Sequence, residues 1–165
     1  MRTLEGIGHL VTSVAFSPDG TLLGLGIADR TVSLRRVSDG ALLSTWKNPI
    51  NDHGVTTVFR IAFSPDGLVF AAAFSTSIEV IRTADGMPLR IIEEKEGPVD
   101  LAFSSDGSLL ATAADAIRLW RISDGRLLAT LAGHTSKVTS VFFSPDMTFL
   151  GSSSLDGTIR FWGIP

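Results

Sequence analysis

The chain repeats one short motif at a nearly constant spacing. Four segments pair a phenylalanine-serine with an aspartate two residues later, and the phenylalanines Phe16, Phe63, Phe103 and Phe143 are separated by 47, 40 and 40 residues. A second marker, Asp-Gly at residues 39–40, 85–86 and 124–125, places its aspartate 21 to 23 residues after a phenylalanine. Two interleaved markers at one period predict a repeat architecture with one supersecondary unit per period.

The first marker has the chemistry of a tight turn between two strands. In Ser17-Pro18-Asp19-Gly20 the proline presets φ, the aspartate can bond the backbone, and the glycine takes a positive φ without steric cost. The apolar runs between such turns hold six to eight residues, which is a strand length. In the first unit we predict strands at residues 11–16, 21–27, 31–37 and 41–46.

The second strand of each unit is apolar or small almost throughout, as in residues 21–27 and 108–113. A sheet with one solvated face would alternate apolar and polar residues, so this pattern predicts burial on both faces. Four-stranded sheets stacked around an axis at this period form a propeller. We therefore predict an all-β fold, a β-propeller of four-stranded antiparallel blades with about four blades in this chain. It is one domain over residues 1–165, with blades near 9–46, 53–92, 97–131 and 134–165 and an outer strand at 1–4.

The fourth unit identifies a family. Residues 131–134 (Leu-Ala-Gly-His), 138–146 and 152–162, which end in Phe-Trp, resemble the WD-repeat pattern throughout. In that family a blade carries an internal hydrogen-bond chain from histidine through serine or threonine and aspartate to tryptophan. The resemblance places this chain on His134, Ser152, Asp156 and Trp162, as a structural feature that fixes the blade.

The other three units keep only parts of that chain. The first has a histidine and an aspartate, with Leu25 and Arg35 where the hydroxyl and the tryptophan would stand. The second offers only a histidine, and the third has a threonine, an aspartate and a tryptophan. In order, these partial sets are His9 and Asp29, then His53, then Thr112, Asp115 and Trp120. We expect these three blades to depend mainly on apolar packing.

The first and last strands leave the closure of the ring open. The chain starts with a strand-like piece at residues 2–4 and stops after the third strand of the fourth blade. Such an offset lets the two ends of a propeller complete one blade and hide its edges. Three alternatives remain open for the closure of the ring. Two copies exchange outer strands in an eight-bladed homodimer, the chain is part of a longer propeller, or four blades close alone.

Composition argues against several kinds of partner. A net charge of -3 gives no support for non-specific nucleic-acid binding, and no segment has the apolar length of a membrane helix. The chain has no cysteine, and its three histidines lie in separate blades without chelating spacing, so we predict no metal and no cofactor. The beginning of the chain lacks the apolar core of a secretory signal, and we expect a cytoplasmic protein.

The family resemblance implies a scaffold that binds other proteins and is not an enzyme. The strands of a blade are lettered a to d in chain order from the axis outward, so that a b–c hairpin joins the second and third strands. The candidate partner-binding residues lie in one b–c hairpin and in two loops that connect consecutive blades. They are Arg30, Asn51, Asp52, His53 and Lys137. The alternative is a propeller that binds a small ligand or acts as an enzyme through its central channel, where Arg60 and Asp100 are the only charged candidates.

Overall fold

The computed structural model describes residues 3–5, 7–49, 57–94 and 96–164, and within them the chain forms fifteen strands. Blade 1 contains β1 (Val11–Phe16), β2 (Leu22–Ile27), β3 (Thr31–Arg36) and β4 (Leu42–Lys47). Blade 2 contains β5 (Arg60–Phe63), β6 (Val69–Ala73), β7 (Ser77–Arg82) and β8 (Pro88–Glu93). Blade 3 contains β9 (Asp100–Phe103), β10 (Leu109–Ala113), β11 (Ile117–Arg121) and β12 (Arg126–Leu131). Blade 4 contains β13 (Val138–Phe143), β14 (Phe149–Ser154) and β15 (Ile159–Gly163).

Each blade is an antiparallel sheet whose strands pair in the order in which they occur in the chain. The all-β prediction is confirmed, and the four strands of blade 1 begin and end within one residue of their predicted bounds. Three sheets have four strands and the sheet of blade 4 has three. The predicted turns are present as well, since Gly20 has a φ of 70° and Asp19 Oδ1 accepts the N–H of Thr21 at 3.0 Å.

Consecutive blades pack face to face, and apolar side chains fill the space between them. We call the side of a blade that meets the following blade its leading face, and the side that meets the preceding blade its trailing face. One cluster joins Leu34 of blade 1 to Ile61 of blade 2, and a second joins Val80 of blade 2 to Leu101 of blade 3. The third joins blade 3 to Val141 of blade 4. The core therefore lies between the blades, as the apolar second strands predict.

The four blades form an open arc. Val14 on the trailing face of blade 1 is 59% exposed, and Phe161 on the leading face of blade 4 is 70% exposed. A ring in which four blades close alone would bury both side chains, so this expected outcome is not the arrangement found. The predicted outer strand falls on residues 1–4, of which residues 1–2 lie outside the described part. Residues 3–5 form no strand, because the third-strand edge that such a strand would join is not beside blade 1.

Candidate functional site

Four side chains of blade 4 form a continuous hydrogen-bond chain on its trailing face. The indole N–H of Trp162 donates to Ser152 Oγ at 2.9 Å, and Ser152 Oγ lies 2.8 Å from His134 Nε2. His134 Nδ1 lies 2.8 Å from Asp156 Oδ2. Because a carboxylate only accepts, Nδ1 carries the proton, and Nε2 then accepts from the serine hydroxyl. The structure thus brings together all four residues that the family resemblance singles out.

The carboxylate of Asp156 also holds the b–c hairpin of blade 4 in place. Its oxygens accept the N–H and hydroxyl of Thr158 at 2.9 and 2.7 Å and the N–H of Thr135 at 3.0 Å. The Thr158 hydroxyl does most to lower the pKa of Asp156, and the Thr135 N–H and His134 lower it further. The carboxylate therefore stays ionised and keeps the hairpin joined to the loop that precedes β13.

Blade 3 contains a polar link in which Thr112 and Trp120 are predicted members and Glu94 is not. The indole of Trp120 donates to Thr112 Oγ1 at 3.2 Å, and the threonine hydroxyl donates to Glu94 Oε2 at 3.3 Å. Arg118 Nη1 lies 2.7 Å from Glu94 Oε1, so the buried carboxylate has a charged partner. Glu94 thus replaces the histidine of blade 4. It precedes Pro98 by four residues, as His134 precedes Val138, and this spacing is the signal that could have revealed it.

Blades 1 and 2 share a second unforeseen link. The indole of Trp46 in the outer strand of blade 1 donates to the carboxylate of Glu79 in the third strand of blade 2. Glu79 is fully buried, and this burial raises its pKa. The expectation that blades 1 to 3 depend mainly on apolar packing is therefore incomplete. The sequence signal is one acidic residue inside an apolar third strand.

One side of the arc carries the b–c hairpins and the loops between blades, and we call it the hairpin face. It comprises the hairpins at 28–30, 74–76, 114–116 and 155–158 and the described parts of the loops before β1, β5, β9 and β13. Backbone bonds connect the two sets, since the Leu155 N–H donates to the Lys137 carbonyl and the Ala28 N–H to the Leu10 carbonyl, both at 2.9 Å. The hairpin face is therefore held firmly to the blades.

The structure places two of the five candidate binding residues on the hairpin face. Arg30 is at the tip of the first hairpin, and its carbonyl accepts the N–H of Asn48 at 3.2 Å. Lys137 is exposed beside a depression that Asp115 and Thr135 also line. Asn51, Asp52 and His53 lie outside the described residues. Leu10 and Leu155 add apolar surface to this face, since they are 72% and 69% exposed.

The backbone of Arg30 is strained. Its φ is 70°, a left-handed conformation that side chains with a Cβ rarely adopt, and Gly157 has a φ of 79° at the matching position in blade 4. Both hairpins have the same turn, in which Asp29 or Asp156 accepts the N–H two residues later. A left-handed residue other than glycine costs roughly 1–2 kcal/mol, so an arginine here is unfavourable for the hairpin itself.

The two charged residues of the predicted channel bind each other. Arg60 Nε lies 3.0 Å from Asp100 Oδ1. The other carboxylate oxygen of Asp100 accepts the hydroxyl of Ser140 at 2.7 Å and the N–H of Val141 at 3.0 Å. Asp100 is therefore engaged in joining blades 2, 3 and 4 near the inner strands.

The described residues contain neither a metal-binding cluster nor a membrane-spanning helix. No group of three or more histidine, aspartate or glutamate side chains in the described part of the chain could hold a metal ion. Within the same ranges, no helix has the length and apolar character needed to cross a membrane.

Comparison with known proteins places these features in a family. A model of the WD domain, G-beta repeat, matches residues 1–35, 86–121 and 125–163. An uncharacterized WD repeat-containing protein of Synechocystis sp. is 29% identical over 163 residues, which cover 96% of this chain and 44% of that protein. The COMPASS component SWD3 of Saccharomyces cerevisiae is 30% identical over 161 residues, which cover 93% of this chain and 48% of that protein.

A third relative is the transcription initiation factor TFIID subunit 5 of Caenorhabditis elegans, which is 28% identical over 163 residues. The match covers 96% of this chain and 24% of that protein, so the chain spans less than half the length of each of the three relatives. The family model covers most of the chain, and blade 4 carries the complete hydrogen-bond chain of the motif. The chain therefore belongs to the WD40 family of WD domain, G-beta repeat proteins.

Proposed function

We propose that this chain is a protein-binding scaffold that uses its hairpin face and has a second copy of itself among its partners. Membership of the WD40 family supports a binding role without catalysis. Two relatives are named as a component and a subunit of larger assemblies, which agrees with a scaffold. The blades supply what such a role needs, because buried polar links and apolar clusters hold the hairpin face in a fixed shape.

The observation that carries this proposal is the surface of the hairpin face, where Leu10 and Leu155 are 72% and 69% exposed and Arg30 stands at a hairpin tip. The left-handed backbone at Arg30 would be more stable with glycine, so the arginine side chain has a role that offsets this cost. Arginine is enriched at protein interfaces because its planar guanidinium offers five donors. The exposed Leu10, Leu155 and Lys137 extend this surface with apolar and charged groups.

The alternative, a ligand-binding or catalytic channel, has less support. Its two charged candidates, Arg60 and Asp100, are engaged with each other and with the inner strand of blade 4. A ligand would have to displace these contacts, which join three blades.

A comparative binding experiment tests the hairpin face. The wild-type chain and the variant Arg30→Glu/Lys137→Glu are immobilised, and the proteins that each retains from a cell extract are quantified by mass spectrometry. The matched control is Arg126→Glu, because Arg126 is exposed on the side of the arc opposite the hairpin face.

We expect a set of proteins that the wild type and Arg126→Glu retain and the double variant loses. Equal retention by all three chains would contradict a binding role for the hairpin face. Circular dichroism of the variants checks that each has kept its strands.

A further inference from the structure

We propose that the leading face of blade 4 packs against the trailing face of blade 1 of a second copy, so that two copies form one closed ring of eight blades. This inference rests on the self-association proposed above and names its surfaces. Eight blades lie within the range of single propellers. In a two-fold arrangement the leading face of each blade 4 covers the trailing face of the other copy's blade 1, so that no end face stays uncovered.

The leading face of blade 4 is uncovered at positions that the other blades bury. Phe161 is 70% exposed, whereas Leu34, Val80 and Leu119, which occupy the same register position in blades 1 to 3, are at most 2% exposed. Ile159 on the same face is 67% exposed. An apolar surface of this kind indicates an interface.

The trailing face of blade 1 is uncovered in the same way. Val14 is 59% exposed, whereas its counterparts Ile61, Leu101 and Val141 are at most 4% exposed. Each of the three apolar clusters unites one residue at the position of Val14 with one at the position of Phe161. The chain therefore carries both halves of a contact that it makes three times internally.

The segment before blade 1 lies where the outer strand of a preceding blade would lie. Inside the arc, an outer strand passes close to the Asp-Gly turn of the following blade, and the glycine there leaves room for it. A Cβ added to the glycine would lie too close to a side chain of the neighbouring outer strand. It would be 2.9 Å from Ser44 at Gly86 and 2.6 Å from Arg90 at Gly125, and in the same way 2.7 Å from Leu4 at Gly40. Leu4 thus occupies the outer-strand place of a blade that stands before blade 1.

Blade 4 has the edge that this segment fits. Its sheet ends at β15, which pairs with β14 on one side and has no fourth strand in the described part of the chain. Beside blade 1 of a second copy, this edge would face the segment that contains Leu4. Pairing between them would complete blade 4 and remove an exposed sheet edge.

The inner strands offer a matching polar contact. Ser13 Oγ accepts the N–H of Ile61 at 3.0 Å, which joins blade 1 to blade 2. Ser140 holds the position of Ser13 in blade 4, and Val14 holds that of Ile61 in blade 1. In the proposed ring Ser140 Oγ accepts the N–H of Val14 of the second copy.

One side chain must move when the faces meet. A Cβ at Gly24 would lie 3.2 Å from the ring of Phe63, which covers this glycine from the next blade. At the matching Gly151, a Cβ would meet the ring of Phe142 of blade 4 itself. Blades 1 to 3 have alanine at the position that Phe142 holds in blade 4. Phe142→Ala is therefore expected to strengthen the association of two copies.

Mass in solution, measured by light scattering after size exclusion, tests the inference. We expect the wild type to have twice the chain mass of 17.6 kDa. Phe161→Glu and Val14→Lys should each give monomers, and their mixture should recover dimers because the two new charges meet at one interface. Leu89→Glu is the matched control, because Leu89 is 47% exposed on the outer strand of blade 2 and should leave the dimer intact.

The outcomes separate this inference from the self-association on which it rests. A wild type that is monomeric at all concentrations would overturn both. A dimer that persists in Phe161→Glu and Val14→Lys would leave self-association standing and overturn the assignment of its faces.

A second measurement does not depend on the tolerance for these charges. The chain has no cysteine, so the two substituted positions are the only thiols of Val14→Cys/Ser140→Cys. We expect a crosslink between position 14 of one copy and position 140 of the other under oxidising conditions, identified by peptide mass spectrometry, as the contact between Ser13 and Ile61 implies. A bond within one copy, or none, would overturn the proposed pairing.

Discussion

The sulfur of Met147 accepts a hydrogen bond from the backbone N–H of Ser105 at 3.4 Å, across the junction of blades 3 and 4. Both residues depart from the pattern of the other a–b turns. At the preceding junction, between blades 2 and 3, Pro65 stands at the position of Ser105 and Gly107 at the position of Met147. A Cβ added to Gly107 would lie 3.7 Å from the proline Cδ. A proline has no N–H, so the contact of the methionine depends on the serine.

Met147→Gly is expected to stabilise blade 4. Met147 has a φ of 61°, and glycine at this φ relieves a strain of roughly 1–2 kcal/mol, part of which is offset by the greater freedom of glycine in the unfolded chain. We expect the free energy of unfolding to rise by about 0.5–1 kcal/mol in urea denaturation.

A double-mutant cycle with Ser105→Pro tests whether the two positions are coupled. Ser105→Pro alone removes the N–H that Met147 accepts, whereas in Met147→Gly this N–H no longer has the sulfur as a partner. The proline should therefore be tolerated better in the Met147→Gly background. Additive effects of the two substitutions would show that the contact contributes nothing.

Arg30→Gly is expected to raise stability and weaken binding at once. The substitution gives the first hairpin the residue that blade 4 has at position 157, so thermal unfolding should shift upward by a few degrees. Retention of hairpin-face partners should fall in the same variant. Arg30→Asn is the control, because asparagine tolerates the left-handed conformation and also lacks the guanidinium. Binding that persists in both variants would assign the arginine no role in recognition.

The strands could be predicted from the sequence because their signals are local. Each turn has its own proline, aspartate or glycine, and the apolar second strands report burial between blades, which gave the bounds of blade 1 to within one residue. The hydrogen-bond chain of blade 4 could be foreseen from its family resemblance, since its four residues stand at the family's positions.

The polar links of the other blades could not be predicted in this way, because their partners come from outside the expected positions. Glu94 replaces a histidine with a different chemical group, and it needs Arg118 beside it. Glu79 takes its donor, Trp46, from the neighbouring blade, 33 residues earlier in the chain. A motif read within one blade carries no information about a contact between two blades.

Ser152→Ala is expected to destabilise blade 4. Ser152 is fully buried, and its hydroxyl connects the Trp162 indole to the ring of His134. Its removal takes away the partner of the Trp162 N–H and of His134 Nε2, which costs about 1–3 kcal/mol. Ser153→Ala is the matched control, because the Ser153 hydroxyl bonds to the hydroxyl of Thr139 at an exposed position. Similar melting temperatures for the two variants would show that the chain does not stabilise the blade.

Glu79→Gln tests the buried carboxylate between blades 1 and 2. Burial raises the pKa of Glu79 above its ordinary value of 4.5, so the folded chain holds this proton more tightly than the unfolded chain. The favourable contribution is complete below about pH 4.5 and is lost as the pH rises through the folded pKa. Glutamine cannot ionise, yet its amide oxygen still accepts the Trp46 N–H.

The variant should therefore match the wild type in stability near pH 4.5 and exceed it at pH 8, on the order of 1 kcal/mol, or about 2–4 °C in Tm for a chain of this size. Denaturation series at several pH values measure the difference, and the exposed Glu93→Gln should follow the wild-type profile. A difference that stays constant from pH 4.5 to pH 8 would mean that Glu79 ionises alike in both states. The Trp46 indole would then compensate fully for the burial of the charge, and Glu79 would join the two blades at no cost to stability.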